Sequence, residues 1–330
     1  MKRYSVLEQL VVRPLLELDC AIKMHQVAAR SSRLFLFFMA SGWLAAAALL
    51  LWPAALADAQ VFTRGTSVAP PKNPQHIVSI NPCADALLMQ LTEPRNIRSI
   101  SHYSHDPRAT SIPIAQALRF SATSGTAEEI IAMRPDLVIA SSYVAPATER
   151  ALDRLGVAVI KLSIPQSVAE SQRQISALSQ ILGSPARGKN LNRRISQAIA
   201  KARPADQDFV PALIWRSGGL VPGSDTLPDE LLRLTGFENR SKTYGLTQWD
   251  ILPLEHLVAR PPTILFSNIE NGNARARHKD RMLYHPVLDK LTNQITIAEY
   301  PGRLLNCAGP SLIEAANIMA AARRKLRRGK

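Results

Sequence analysis

The order of apolar and polar positions predicts a chain in which short helices alternate with short buried strands. Apolar runs at 76–80, 97–101, 137–140, 157–162 and 210–215 have the length of strands. A strand that is apolar throughout is buried on both faces, as in a parallel sheet. The alternation therefore predicts an α/β fold built on parallel sheets.

One helix–strand unit occurs twice, 127 residues apart. Residues 128–140 (EEIIAMRPDLVIA) align with residues 255–267 (EHLVARPPTILFS), and a glutamate, an alanine and a proline match in place. Each copy is predicted to be a short helix that stops before a proline, whose ring cannot continue a helix, followed by a buried strand. The duplication predicts two similar, Rossmann-like α/β lobes with a ligand cleft between them.

The lobes are predicted to occupy residues 76–184 and 204–330. The segment between them, residues 185–203, starts with a proline, which suits the first turn of a helix, and is predicted to be a long bridging helix. Residues 58–75 are rich in Pro, Ser, Thr and Asn and are predicted to form a linker.

The amino end is predicted to be a cleaved signal peptide, residues 1–57. Residues 34–51 are almost wholly apolar, follow two arginines and lead into an Ala-x-Ala site that ends at Ala57. The 30 residues before the apolar run are long for such a signal, so Met24 is an alternative start. A retained anchor is the other interpretation, because the run is about as long as a bilayer requires.

Composition and motifs favour a binding protein over an enzyme or a nucleic-acid partner. The formal net charge is +14, but no zinc-finger spacing, helix-turn-helix signal or aromatic-interleaved basic patch accompanies it. No Gly-x-Ser-x-Gly elbow, Walker loop or Gly-x-Gly-x-x-Gly turn is present. A secreted α/β hydrolase-type enzyme remains the alternative of a different class.

Two of the three cysteines, Cys83 and Cys307, follow the predicted signal peptide. In an oxidising compartment they would often pair, which would link the lobes and restrict closure. The alternative is that both cysteines stay unpaired as small apolar residues. We favour that alternative, because pairing requires a spatial proximity that the sequence does not show.

The opening strand with Asn81 and Pro82, the duplicated units at Glu128 and Glu255, and the long helical segment between the lobes carry a family resemblance. Residues 76–326 resemble the periplasmic substrate-binding proteins of ABC importers for iron–siderophore complexes and cobalamin. The resemblance implies a periplasmic monomer with no catalytic step and no cofactor of its own. It would capture a metal chelate, a ferric siderophore or cobalamin containing Fe or Co, and deliver it to an inner-membrane ABC permease dimer.

The resemblance also implies a role for the duplicated glutamates. Glu128 and Glu255 would dock, one from each lobe, onto arginines of the permease dimer, and two spaced anions would fix the orientation of docking. The alternative is that each carboxylate complements the dipole of its own helix, and the adjacent Glu129 supports that alternative.

Ligands of open α/β sheets bind beyond the carboxyl ends of the strands, which selects a set of loops here. Aromatic rings in those loops would suit a macrocycle or chelate, and arginine would pair with ligand carboxylates or chelate oxygens. The predicted ligand-binding residues are Tyr103, His105, Ser142, Tyr143, Trp215, Arg216, Trp249 and Arg303.

A directly bound metal ion is not predicted. His102 and His105 lie close to Tyr103 and Asp106, but a zinc or manganese site needs three or four converging ligands. Haem held through Tyr103 or His105, or direct metal binding, is an alternative on the same fold.

Overall fold

The computed structural model of the protein describes residues 61–268, 286 and 294–328. The predicted signal peptide lies outside these residues. Residues 58–330 form one compact unit. Within the described ranges, no helix combines the length and the apolar character needed to cross a membrane.

The N-terminal lobe is built on a six-stranded sheet with the strand order β1-β6-β5-β2-β3-β4. All neighbouring strands are parallel except β1, which pairs antiparallel with β6 at the edge. The strands are β1 (Phe62–Arg64), β2 (Ile77–Ser79), β3 (Ile97–Ser101), β4 (Ala122–Thr123), β5 (Leu137–Ser141) and β6 (Val159–Leu162).

A linker is predicted for residues 58–75, but residues 62–64 form strand β1 of this sheet. The preceding carbonyl, that of Val61, accepts hydrogen bonds from the Ser163 hydroxyl (2.9 Å) and the Gln174 amide (3.1 Å). These partners lie about 100 residues away in the chain, with separations of 102 and 113. No local pattern in a three-residue polar strand would predict them.

Two helices of this lobe begin at capping residues. Asn81 caps the first one, its side chain accepting from the Cys83 N–H at 2.9 Å, and Pro82 occupies the first turn. Thr126 caps a later one by accepting from the Glu129 N–H. The helices are α1 (Pro82–Leu91), α2 (Ile114–Ala117), α3 (Ala127–Ala132), α4 (Pro146–Arg154) and α5 (Val168–Ile181).

Helix α6 (Pro185–Ala202) is the long helix between the lobes. Its start is tied to the N-terminal lobe, where the Arg187 guanidinium donates to the Thr92 carbonyl at 3.2 Å. Four of its buried residues, among them Leu191 and Ile195, belong to an apolar cluster that also contains Ile77 of β2 and residues of the C-terminal lobe. The helix therefore joins the lobes through a shared core as well as through the chain.

The C-terminal lobe has a parallel four-stranded sheet with the order β12-β11-β7-β9 and a small antiparallel pair, β8 and β10. The strands are β7 (Val210–Trp215), β8 (Leu220–Pro222), β9 (Phe237–Asn239), β10 (Trp249–Ile251), β11 (Ile264–Ser267) and β12 (Thr296–Glu299). The helices are α7 (Leu227–Leu234), α8 (Leu254–Ala259) and α9 (Ser311–Arg328).

The duplicated units form α3–β5 in one lobe and α8–β11 in the other. β5 pairs in parallel with β2, and β11 pairs in parallel with β7. Both copies therefore place a buried strand inside a sheet, with a parallel neighbour on each side. This confirms the predicted pair of similar α/β lobes.

Candidate ligand-binding site

A cavity of about 380 Å³ lies between the two lobes. The N-terminal lobe contributes segments that follow β2, β3, β5 and β6, and the C-terminal lobe contributes the start of α7, Trp249 and the segment after β12. In the N-terminal lobe the wall therefore forms beyond the carboxyl ends of parallel strands, where α/β sheets bind ligands. Residues that line it include Ile80, Asn81, Tyr103, Tyr143, Ile164, Gln166, Pro228, Trp249, Leu304 and Asn306.

The described wall of the cavity carries no charged side chain. Its polar groups are neutral amides and hydroxyls, such as those of Gln174, Asn306 and Ser163, and most other lining residues are aliphatic. Such a wall binds through apolar contact and a few oriented hydrogen bonds. It offers little compensation for a bare ion or for several negative charges.

Three predicted aromatic residues come together at this cavity: Tyr103, Tyr143 and Trp249. The tyrosine side chains are unusually exposed for their size, 53% for Tyr103 and 81% for Tyr143. Tyr103 lies in the turn after β3, with its ring centroid 4.1 Å from that of His102. Exposed tyrosine rings on the N-terminal lobe and the partly buried Trp249 ring on the C-terminal lobe are suited to a flat ligand between them.

Arg216 does not line the cavity but contacts two residues that do. Its guanidinium carbon is 5.9 Å from the ring centroid of Trp249, and its Nη2 donates to the Asn306 Oδ1 at 3.3 Å. Burial lowers the pKa of this guanidinium. Among the described residues no carboxylate pairs with it. Both of its contacts, Trp249 and Asn306, line the cavity.

The other predicted ligand-binding residues are engaged elsewhere. Trp215 is 1% exposed and packs in the core of the C-terminal lobe. The His105 Nε2 lies 3.2 Å from the Ala117 carbonyl oxygen, and the Ser142 hydroxyl donates to the Leu162 carbonyl at 3.3 Å. Arg303 forms an ion pair with Glu314. None of the four belongs to the described wall of the cavity.

The sequence reasoning missed part of the wall, namely residues 163–166 and 304–308. The first segment follows β6, so it lies where the strand-end rule places ligands, although it carries no aromatic or charged residue. The second precedes α9 and carries only leucines, an asparagine, a cysteine and an alanine. Its composition gives no chemical signal.

With this geometry established, the comparisons with known proteins identify the family. Residues 77–293, more than half of the chain, match the family model described as periplasmic binding protein. The chain belongs to the periplasmic binding protein family. No curated protein sequence matches it. Membership confirms the family resemblance that the sequence motifs indicated.

Solved structures show the same fold at low sequence identity. The periplasmic heme-binding protein HutB of Vibrio cholerae is 20% identical with a TM-score of 0.58, over 75% of this chain and 98% of HutB. The periplasmic heme-binding protein RhuT of Roseiflexus sp. RS-1 has the same values. The periplasmic vitamin B12 binding protein BtuF of Vibrio cholerae is 20% identical with a TM-score of 0.55, over 76% of this chain and 97% of BtuF.

A buried carboxylate supports the Tyr103 turn of this periplasmic binding protein. Asp85 on α1 is 0% exposed, and its Oδ2 accepts hydrogen bonds from the Ser101 N–H (3.0 Å) and the Ser104 hydroxyl (2.6 Å). Burial raises the pKa of Asp85 to about 7, although these hydrogen bonds lower it. Asp85 therefore holds both flanks of the turn that presents Tyr103 to the cavity.

The two duplicated glutamates lie on the surface, away from the cavity wall. Glu128 and Glu255 are exposed in the first turns of α3 and α8. Within the described ranges neither carboxylate forms a hydrogen bond or ion pair. Glu129 differs, since it accepts hydrogen bonds from the Thr123 hydroxyl (2.6 Å) and the Ser124 N–H (2.8 Å), which lower its pKa. Glu129 stabilises its own loop, whereas Glu128 and Glu255 are unengaged among the described residues.

Cys83 and Cys307 form a disulfide between the lobes, with their Cα atoms 5.2 Å apart. The unpaired state favoured from the sequence is therefore wrong. The fold brings the first turn of α1 against the segment before α9, and the 224-residue separation gave no local signal of this.

No group of three or more His, Cys, Asp or Glu side chains is placed to hold a metal ion within the described ranges. His102 and His105 both bind backbone carbonyl oxygens, those of Thr123 (3.1 Å) and Ala117 (3.2 Å). This part of the binding protein thus offers no ready site for a bare ion.

Proposed function

We propose that this periplasmic binding protein is the solute-binding component of an ABC importer. It captures a metal chelate, a ferric siderophore or cobalamin, between its lobes and delivers it to the inner-membrane permease. The observation that carries the proposal is the cavity, where Tyr103, Tyr143 and Trp249 are among the aromatic residues of an uncharged described wall. It acts as a periplasmic monomer after signal-peptide cleavage and performs no chemical step.

The character of the wall narrows the chelate class. A ferric catecholate carries several negative charges, which would lack partners on the described wall. A ferric hydroxamate, or cobalamin with its many amides, presents neutral polar groups to Gln166 and apolar surface to the aromatic rings. Arg216 is partly buried next to Trp249. Because it carries a single positive charge, it supports recognition of at most one anionic group.

Haem is the second candidate, favoured by Tyr103. This tyrosine lines the cavity with a half-exposed ring, and phenolate oxygen is a recognised axial ligand of haem iron. The similar structures HutB and RhuT are described as heme-binding proteins. A haem complex would show a Soret band that Tyr103→Phe shifts, whereas cobalamin or hydroxamate binding would survive that change.

Tryptophan-fluorescence titration tests the ligand class. Trp43 and Trp52 lie in the predicted signal peptide, so Trp215 and Trp249 report on the remaining protein. Titration with cyanocobalamin, a ferric hydroxamate, a ferric catecholate and hemin is expected to quench Trp249, with the catecholate weakest. If none of the four changes the emission, the proposed ligand class is wrong.

Trp249→Ala is expected to weaken binding of the chelate by about 30-fold, because truncating a central aromatic contact costs ~2 kcal/mol or more. Isothermal titration calorimetry measures the change without relying on tryptophan emission. Phe209→Ala is the matched control, since Phe209 is 51% exposed and lies outside the cavity wall. Equal losses in both variants would contradict the assignment of Trp249.

Delivery is proposed to use Glu128 and Glu255. Their exposure, their lack of partners in the described chain and their equivalent places in the two lobes support docking onto cations of a two-fold partner. Glu129 is excluded from this role because its carboxylate is already bound by Thr123 and Ser124.

A further inference from the structure

The Cys83–Cys307 disulfide is a second connection between the lobes, separate from α6. Cys83 lies in the first turn of α1 in the N-terminal lobe, and Cys307 lies just before α9 in the C-terminal lobe. A change in the angle between the lobes must therefore satisfy both the helix and the disulfide. Two connections at different places restrict such a change more than one does.

Non-covalent contacts surround this disulfide. The Asn306 side-chain nitrogen donates to the carbonyls of Arg108 (3.2 Å) and Ala109 (3.1 Å) in the N-terminal lobe. The Gly309 N–H donates to the Ser171 hydroxyl at 3.0 Å. The segment 306–309 would thus stay docked in part if the disulfide were opened, so the expected result is a looser cavity wall and not separated lobes.

Both cysteines line the ligand cavity. Cys307 is only 8% exposed, and Cys83 is partly buried. The cavity gives a small reductant a path to the sulfur atoms. A ligand that fills the cavity covers the same path.

The position of Cys83 favours thiol–disulfide exchange. It follows Pro82 in the first turn of the ten-residue helix α1, where the helix dipole stabilises a thiolate. A reductant thiolate attacks Sγ of Cys307, and Cys83 leaves as the thiolate. The second thiol of the reductant then attacks the mixed disulfide. One dithiol is oxidised to its disulfide, and two cysteine thiols are released.

We propose that the Cys83–Cys307 disulfide is a redox-sensitive latch in the wall of the ligand cavity. A dithiol opens it in the empty protein, and opening loosens the wall and weakens ligand binding. A bound ligand protects it from reduction. The protection of the disulfide by a bound ligand and the change in ligand affinity rest on the proposed function. The opening of the disulfide by a dithiol in the empty protein does not.

The first test measures how fast dithiothreitol reduces the native, empty protein, by thiol alkylation and mass spectrometry. Two new thiols should appear without denaturant. Saturation with cyanocobalamin or redox-inert zinc protoporphyrin should slow their appearance at least tenfold. If the disulfide is cleaved only in denaturant, the latch is wrong. It is also wrong if a probe binds, as shown by calorimetry, but leaves the rate of disulfide reduction unchanged.

If neither probe binds, cobalamin and haem are excluded as ligands, but the rate in the empty protein still decides whether the disulfide is reachable. Failure of the function and failure of the latch therefore give different results.

The second test compares probe affinity in oxidised, reduced and reoxidised protein and in the Cys83→Ser/Cys307→Ser double variant. Loss of preorganisation should weaken binding about tenfold in the reduced protein and in the variant. Reoxidation should restore it, which a misfolded protein would not do. Equal affinity in all four samples would overturn the proposal.

Discussion

Replacing Glu128 and Glu255 together by alanine is expected to abolish delivery to the permease while leaving ligand affinity unchanged. Both carboxylates are exposed, lie outside the cavity wall and have no partner in the described chain. Charge pairs across an interface steer the encounter and fix its orientation. We therefore expect binding to the reconstituted permease to weaken by about 100-fold, with each single variant intermediate.

The measurement is surface plasmon resonance of the loaded protein on permease in nanodiscs, at low and high salt. Wild-type association should slow as salt rises, because exposed charges are screened within about 10 Å at 0.1 M. The double variant should be slow at both salt concentrations. Glu238→Ala with Glu299→Ala removes the same charge from other exposed positions and serves as the control.

Unfolding measurements separate docking from the helix-dipole interpretation. A glutamate that only complements its helix contributes ~0.3–1 kcal/mol of stability and nothing to a partner. If the double variant unfolds more easily but binds the permease normally, the docking assignment is wrong. Reduced ligand affinity would also count against it.

Asp85→Asn is expected to remove a steep pH dependence of stability. The pKa of Asp85 is raised from 3.8 to about 7 in the folded protein by burial. Between these values the native state holds a proton that the unfolded state has lost. The free energy of unfolding of the wild type should therefore fall as pH rises from about 4 to about 7, by on the order of a few kcal/mol in total.

The physical cause is a buried charge with incomplete compensation. Two donors, from Ser101 and Ser104, reach the Asp85 Oδ2, whereas Oδ1 is buried without a partner in the described chain. The hydroxyl of Ser79 is near this carboxyl but donates to the Asn81 carbonyl at 3.1 Å. Above pH 7 the ionised carboxylate destabilises the folded state, and a neutral amide avoids that cost.

Urea unfolding at several pH values between 4.5 and 8 measures the slope. Asp153→Asn is the matched control, because Asp153 is a partly exposed carboxylate that accepts hydrogen bonds from Ser67 and has a lowered pKa. A lowered pKa means that its contribution is lost only as pH falls below about 4, so its variant should keep the wild-type slope. A persistent slope in Asp85→Asn would contradict the assignment.

The predicted elements agree best with the structure where apolar runs end at turn residues. The strands at 97–101 and 210–215 match at both ends, and the long helix predicted for 185–203 spans 185–202. Asn81 and Thr126 belong to residue types that favour helix caps, and both cap helices in the structure, because a cap is a local hydrogen bond. Local chemistry is what a single sequence reports reliably.

The candidate site was predicted in part. Tyr103, Tyr143 and Trp249 reach the cavity because loops after strands meet there. Trp215, although it ends β7, faces the core of its lobe. Which side of a strand faces the cavity depends on how the sheet packs, and aromatic character alone does not reveal it.

The sequence by itself determined two α/β lobes, their long connecting helix, the caps of several helices and a pair of equivalent surface glutamates, because these depend on local pattern and internal repetition. Only the tertiary structure decided that Cys83 pairs with Cys307, that Asp85 is buried beneath the Tyr103 turn and that Arg216 lies behind Trp249. Each of these depends on residues far apart in the chain meeting between packed elements, which no spacing along the chain encodes.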